Sequence, residues 1–184
     1  RDRDVTGVQT CALPICGIME KVKYLIIGNG IAGLSAAREI RNNDSYGSVI
    51  MVSSESYLTY YRIRLTECLY KEFQDEELLV NKESWYREKN IKVLLSRIVE
   101  KLDTDNNKVR LDDGMEIEYE KLLLATGSRP FIPPVAGKFK QGVLALRTLS
   151  DLKYINKYFS KCKDITVIGG GLLGLEAAWA LKSL

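Results

Sequence analysis

Two glycine-rich segments are the parts of this chain best suited to bind a ligand. One reads GNGIAG at residues 28–33, and the other reads GGGLLG at residues 169–174. Each follows an apolar run, at residues 24–27 and 165–168, and precedes an alanine-rich segment, which predicts a strand, a tight turn and a helix. In such a turn the three glycines permit the bend, the approach of a pyrophosphate and close helix packing, and free amides at the helix start face the anion. Two copies predict two dinucleotide sites.

The first glycine segment belongs to a predicted βαβ unit. We expect strands at residues 24–27 and 48–52, and a helix at residues 31–41 in which apolar residues recur at three-residue spacing. Glu55 follows the second strand, 22 positions after Gly33. That distance is close to the one at which a carboxylate accepts the hydroxyls of an adenosine ribose.

Residues 57–67 are unusually rich in tyrosine and arginine for a loop. Guanidinium groups there could make bidentate contacts with a diphosphate, or the tyrosines could simply pack the loop. Residues 81–89 then predict a short helix and residues 91–95 a strand.

The pattern changes to alternation at residues 98–118, around an Asp-Asp-Gly turn that predicts a β-hairpin. Residues 122–124 predict a buried strand that ends in the small-residue turn ATGSRP. Prolines at positions 130, 133 and 134 give a stiff exit, and we place a domain boundary there.

Composition excludes several classes of function. The chain is 46% hydrophobic and 28% charged, and its net charge of +3 is spread without a basic block, so nucleic acid is not indicated. No apolar run is long enough to span a membrane. The absence of histidine excludes Ser-His and Cys-His catalytic pairs and histidine metal sites, and we expect no metal. Four scattered cysteines without CxxC spacing favour a reducing cytoplasm.

Residues 1–15, RDRDVTGVQTCALPI, resemble a translated sequencing adaptor joined to a gene, with Cys16 at the junction and Met19 as the expected start. The alternative is a short natural extension. We therefore expect an artefactual leader at residues 1–18, one domain at 19–135 and the start of a second at 136–184. A strand and helix cannot bury their own apolar faces, so an amino-terminal fragment of a longer protein is expected.

Five motifs in order resemble the pyridine nucleotide-disulfide oxidoreductase superfamily, whose flavoproteins contain two dinucleotide-binding domains. They are GNGIAG, an acidic residue after the second strand, YYRIRLTE, LLLATGSRP and GGGLLGLE. The YYRIRLTE segment is most similar to NADH:rubredoxin reductases and to the flavin portion of NAD(P)H nitrite reductases. The resemblance implies an α/β fold: a Rossmann-like FAD-binding domain with a β-hairpin insertion, then the first strand and helix of a Rossmann-like NAD(P)-binding domain.

The resemblance also implies site residues. FAD contacts would come from Gly28, Gly30, Ile31, Ala32, Gly33, Glu55, Arg62, Ile98, Ala125, Thr126, Gly127 and Arg129. NAD(P)H contacts would come from Gly169, Gly171, Leu172, Leu173, Gly174 and Glu176. Of these, Glu55 would hold the ribose, Arg62 would lie along the diphosphate, the backbone of Ile98 would meet adenine, and Glu176 would point toward the nicotinamide.

The implied activity is hydride transfer from nicotinamide to flavin, with electrons passing on to rubredoxin or another iron-sulfur or haem centre. Ferredoxin reductases carry a lysine where this chain has Glu67, which makes that branch less suitable. One alternative is an NADH oxidase, NADH peroxidase or coenzyme A-disulfide reductase that uses Cys68 as a redox centre. Because Cys68 lies a few positions later than that motif requires, we expect it instead to be a small buried side chain on a short helix. Another alternative is a non-enzymatic FAD-binding module.

Overall fold

The structure is a computed structural model that describes residues 19–69, 71–160 and 162–182. The predicted leader at residues 1–18 and the last two residues of the chain lie outside these ranges. The prediction that the leader is an artefact therefore stays a prediction.

A six-stranded sheet lies at the centre of the described chain. Its strands are β1 (Met19–Ile27), β2 (Val49–Val52), β3 (Ile91–Leu94), β4 (Val99–Asp103), β5 (Lys108–Leu111) and β6 (Glu116–Leu124). Across the sheet they are ordered β3-β2-β1-β6-β5-β4. β3, β2, β1 and β6 pair in parallel, whereas β5 pairs antiparallel with both β6 and β4. The predicted βαβ unit and hairpin insertion are thus confirmed as two halves of one sheet.

The helices in the described residues are α1 (Ile31–Asn43), α2 (Asp75–Leu78), α3 (Glu83–Glu88), α4 (Leu149–Phe159), α5 (Leu172–Leu181) and a 3₁₀ helix (Arg62–Cys68). Two helices, α1 and α3, pack on one face of the sheet, and the other helices pack beside it. α1 ends at Asn43, two residues later than predicted, and the backbone N–H of the next residue, Asp44, donates to the Ile40 carbonyl. β1 begins five residues earlier than predicted, because its first residues pair with β6 from Met19 onward.

Alternation along the strands divides the core between the two faces of the sheet. Leu25 belongs to a cluster with the hairpin strands, and its neighbour Ile26 belongs to a cluster under α1 and α3. Both side chains are almost fully buried, as expected for a parallel strand with apolar residues on both faces. Because β1, β2, β3 and β6 run parallel, their carboxyl ends lie at the same edge of the sheet.

A third apolar cluster joins the two predicted domains. α4 and α5 contribute to it, and it includes Leu65 and Cys68 of the 3₁₀ helix. α4 begins with a capping box, in which Thr148 and Asp151 satisfy each other's backbone amides. The boundary at residue 135 stays a prediction, but the described residues on either side of it pack on one another.

Two strand predictions need correction. The predicted strand at residues 165–168 does not form, because no described strand pairs with it, and Ile168 remains 79% exposed. The strand at residues 122–124 does form as the end of β6, but it is not buried: Leu123 and Leu124 are 40% and 59% exposed. An apolar run can form a buried strand only if neighbouring elements pair with it and cover it. The described residues supply no such neighbours at these two places.

Candidate functional site

The first glycine turn lies at the carboxyl edge of the sheet, between β1 and α1. The N–H of Gly28 donates to Val52 over 2.8 Å, and the N–H of Ala125 donates to Ile27 over 2.8 Å. Gly28 has a φ of +118°, and a Cβ placed there would lie 2.0 Å from the carbonyl oxygen of Ala125. A Cβ on Gly33 would lie 2.1 Å from the carbonyl oxygen of Gly28. Both positions therefore require glycine for the fold itself.

Gly30 differs from these two, because nothing within 4 Å would touch a Cβ at this position. It caps the amino end of α1, where the Leu34 N–H is bonded to the Gly30 carbonyl over 3.0 Å. The amides of the preceding first-turn residues have no acceptor within the helix, and Ile31 and Ala32 are exposed. This open helix start is a cradle that a side chain would fill and that fits a diphosphate.

A buried hydrogen-bond network connects the first glycine turn with the loop after β2. The side-chain amide of Asn29 donates to the Tyr57 carbonyl, and its oxygen accepts from Thr59 over 2.6 Å. The Thr59 hydroxyl oxygen in turn accepts from Tyr86 over 3.1 Å. Because each of these polar groups is paired, the network holds the glycine turn against the loop after β2.

Glu55 and Arg62, predicted to contact ribose and diphosphate, lie side by side at the same edge. Arg62 Nη2 donates to Glu55 Oε1 over 2.6 Å, and about a quarter of each side chain is exposed (27% and 25%). Tyr60 donates to the other carboxylate oxygen over 2.5 Å. Burial, and secondly the hydrogen bond to Glu55, raise the pKa of Tyr60. The phenol therefore stays protonated and can donate to the carboxylate.

The other predicted FAD contacts follow the ends of β3 and β6. Ile98 exchanges hydrogen bonds with Asp112: its N–H donates to the carboxylate over 3.1 Å, and its carbonyl accepts from the Asp112 N–H over 2.9 Å. Thr126, Gly127 and Arg129 are exposed after the end of β6, and Gly127 has a φ of +72°. The structure thus gathers the first set of predicted residues at one edge, and their contacts with a flavin nucleotide stay a prediction.

The second glycine turn repeats the geometry of the first. Gly169 has a φ of +126°, and a Cβ on Gly174 would lie 2.0 Å from its carbonyl oxygen. Gly171 caps α5 with nothing near its own Cβ position, and Leu172 and Leu173 of the first turn are exposed. The second turn therefore has the same glycine geometry as the first although the preceding residues form no strand.

The 3₁₀ helix lies between α5, which follows the second turn, and Glu55 of the first site. α5 packs against it, and the hydroxyl of Thr66 donates to Glu176 Oε2 over 3.0 Å. Glu176, predicted to point toward a nicotinamide, therefore reaches the segment that also carries Arg62. Sequence reasoning placed these residues in two separate sites, and the structure brings the segments that carry them into contact.

Cys68 lies inside the third apolar cluster and is 8% exposed. Burial is the main cause that raises the pKa of its thiol, and the nearby guanidinium of Arg64 opposes this effect. Arg64 itself is paired with Glu67 over 3.0 Å. A raised pKa and an apolar setting make a reactive thiolate unfavourable here.

Two residues near the site had no role assigned from sequence. Tyr60 lies in the segment that is rich in aromatic residues. Its bond to Glu55 could not be predicted, because it depends on the path of the loop between them. Arg147 accepts a hydrogen bond from Arg62 through its carbonyl, and its guanidinium lies 3.7 Å from the Cβ position of Gly127. The sequence signal for this neighbourhood is the capping box that follows Arg147.

None of the helices in the described ranges is long and apolar enough to cross a membrane. The same ranges contain no group of three or more cysteine, aspartate or glutamate side chains placed to hold a metal ion.

Residues 22–184 match the family described as pyridine nucleotide-disulphide oxidoreductase. Among similar proteins, an NADH oxidase of Methanocaldococcus jannaschii is 37% identical over 88% of this chain, and an NAD(P)H nitrite reductase of Bacillus subtilis is 38% identical over 90%. The chain spans 38% and 21% of their lengths. The crystal structure of NADH:rubredoxin oxidoreductase from Clostridium acetobutylicum superposes with a TM-score of 0.82 at 35% identity, covering 89% of this chain and 42% of that one. The chain belongs to the pyridine nucleotide-disulphide oxidoreductase family.

Proposed function

We propose that the complete protein containing this chain is an FAD-dependent NAD(P)H oxidoreductase that delivers electrons to rubredoxin or a similar iron-sulfur or haem centre. One observation carries the proposal: two glycine turns of similar geometry each open a helix, and the 3₁₀ helix on which α5 packs also carries Arg62, which is paired with Glu55 at the edge where the first turn lies. A module that only bound FAD would have no use for the second turn.

The first turn has the features needed to hold FAD. The open helix start after Gly30 would take the diphosphate, and Glu55 would accept hydrogen bonds from the ribose. Arg62 lies beside Glu55 and carries positive charge to the same edge. When bound, FAD supplies the two-electron chemistry, and the protein supplies position and electrostatics.

The second turn would hold the diphosphate of NAD(P)H at the start of α5. Glu176 sits on the second turn of that helix, and its bond to Thr66 directs the carboxylate toward the FAD half of the molecule. A carboxylate fixed in this way can orient a nicotinamide amide through hydrogen bonds. Exposed Leu172 and Leu173 leave the helix start accessible to a ligand.

The electron acceptor is proposed from the relatives and from one local feature. The similar structure from Clostridium acetobutylicum is an NADH:rubredoxin oxidoreductase, and the sequence resemblance implies that Glu67 stands where ferredoxin reductases carry a lysine. Glu67 is paired with Arg64 at the surface. A cytoplasmic location fits the free cysteines Cys68 and Cys162.

The surroundings of Cys68 do not favour a peroxidase or disulfide reductase. A redox cysteine of that type requires a stabilised thiolate with access to its substrate. Cys68 instead packs among leucines with a raised pKa. We propose that it contributes packing and that electrons leave the flavin directly.

The test is to purify the complete protein, assay bound flavin, and follow NADH- and NADPH-driven reduction of rubredoxin, peroxide and coenzyme A disulfide. Fast reduction of rubredoxin with slow reduction of the other two supports the proposal. Fast turnover of peroxide or the disulfide that is lost in Cys68→Ser would establish the alternative.

A further inference from the structure

Tyr60 lies between the proposed ribose carboxylate and the start of α4. Its side chain is almost completely buried. The phenol oxygen accepts the backbone N–H of Leu149, the first residue of α4, over 3.1 Å. A phenol has one proton to donate, and with the amide approaching its oxygen, that proton is directed to Glu55 Oε2, 2.5 Å away.

Glu55 is therefore held at both of its oxygens. Oε2 accepts a hydrogen bond from the Tyr60 hydroxyl, and Oε1 accepts one from Arg62 over 2.6 Å. Arg62 is itself fixed, because its Nη1 donates to the Arg147 carbonyl over 2.6 Å. Each carboxylate oxygen has about two acceptor positions, so the two remaining positions match the two hydroxyls of one ribose.

We propose that Tyr60 is a positioning residue that orients the carboxylate of Glu55 for the adenosine ribose of FAD. This inference rests on the proposed FAD site and deepens it. α4 supplies the fixed point, because the Leu149 amide belongs to a helix whose start is secured by the Thr148 capping box. Tyr60 thus fixes the Glu55 carboxylate relative to α4 and would not itself contact the ligand.

The test compares Tyr60→Phe with its parent in the complete protein, using two ligands. One is FAD, and the other is an FAD analogue whose adenosine lacks both ribose hydroxyls. We expect Tyr60→Phe to raise the dissociation constant for FAD by roughly five- to tenfold, because the variant loses a hydrogen bond to the charged Glu55. The dissociation constant for the analogue should change by less than about twofold. Flavin fluorescence measures both constants without turnover.

Tyr24→Phe is the matched control. Tyr24 also donates to a carboxylate that is paired with a cation, because it bonds Asp44 over 3.0 Å beside Lys23. This pair lies beyond the far end of α1 from the glycine turn. We expect the control to leave both dissociation constants unchanged, while thermal unfolding of each apoprotein reports any loss of stability.

The possible failures are distinguishable. If the parent binds FAD and the analogue equally well, the ribose role of Glu55 is wrong, and the Tyr60 proposal is overturned with it. A second outcome is that Glu55→Gln loses the parent's preference for FAD over the analogue but Tyr60→Phe keeps it. In that case only the Tyr60 proposal is overturned. An equal loss of affinity for both ligands in Tyr60→Phe would likewise show a general structural role and overturn it.

Discussion

Replacing Gly28 by alanine should impair the fold, whereas the same change at Gly30 should impair only flavin binding. A non-glycine residue at positive φ costs about 1–2 kcal/mol, and Gly28 has a φ of +118°. A Cβ placed 2.0 Å from the Ala125 carbonyl oxygen must also displace the end of β6, which adds about 1–3 kcal/mol. The sum of roughly 2–5 kcal/mol is a large share of the 5–15 kcal/mol that typically stabilises a protein.

Gly30 has ordinary backbone angles, and no atom lies within 4 Å of its Cβ position. Gly30→Ala should therefore change the free energy of unfolding by less than about 1 kcal/mol, the scale of a helix cap. The added methyl group would occupy the place of the diphosphate. Loss of one hydrogen bond to a charged group, about 1.5–3 kcal/mol, would raise the dissociation constant for FAD about ten- to a hundredfold.

The assays are urea unfolding of the apoprotein and titration with FAD followed by flavin fluorescence, in the complete protein. Gly28→Ala should lower the urea midpoint strongly, and Gly30→Ala should leave it near the parent value while weakening FAD binding. A Gly28→Ala variant as stable as the parent would refute the steric argument. A Gly30→Ala variant that binds FAD like the parent would refute the assignment of the cradle.

Three further predictions concern single side chains. Glu55→Ala should weaken FAD binding roughly ten- to a hundredfold through loss of charge-assisted hydrogen bonds, and unchanged flavin retention would exclude the ribose role. Cys68→Ser should keep NADH-driven acceptor reduction within a few-fold of the parent, whereas a collapse by orders of magnitude would identify a redox cysteine. Asp44 has its pKa held well below the usual range, chiefly by its hydrogen bond to Lys23. Its contribution to stability is thus present above about pH 4 and lost as the pH falls below that value. Asp44→Asn should flatten the acid side of the stability profile measured by unfolding at several pH values, and an unchanged slope would count against this contribution.

The first half of the fold follows from sequence because its signals are local. Glycine spacing and the adjoining apolar runs predict β1, α1 and the turn between them, and the Asp-Asp-Gly turn predicts the hairpin of β5 and β6. Residues 165–168 show where local signals end. They have strand composition, but a strand forms only against a neighbour, and no described strand pairs with them.

The sequence indicates candidate residues for the site but not the contacts between them. Spacing after the glycine turn indicated Glu55, and a family motif indicated Arg62. Their mutual ion pair depends on the path of the intervening loop, and the bond from Tyr60 depends on α4, which begins 89 residues after that tyrosine. Interactions across such separations leave no periodic signal in a single sequence.

The most direct test of the account is anaerobic titration of the purified complete protein with NADH and with NADPH, monitored by the visible absorption of its flavin. We expect the protein to bind about one FAD per chain and at least one of the two nucleotides to bleach the flavin at once. A protein that takes up no FAD, or whose bound flavin neither nucleotide reduces, would contradict the account.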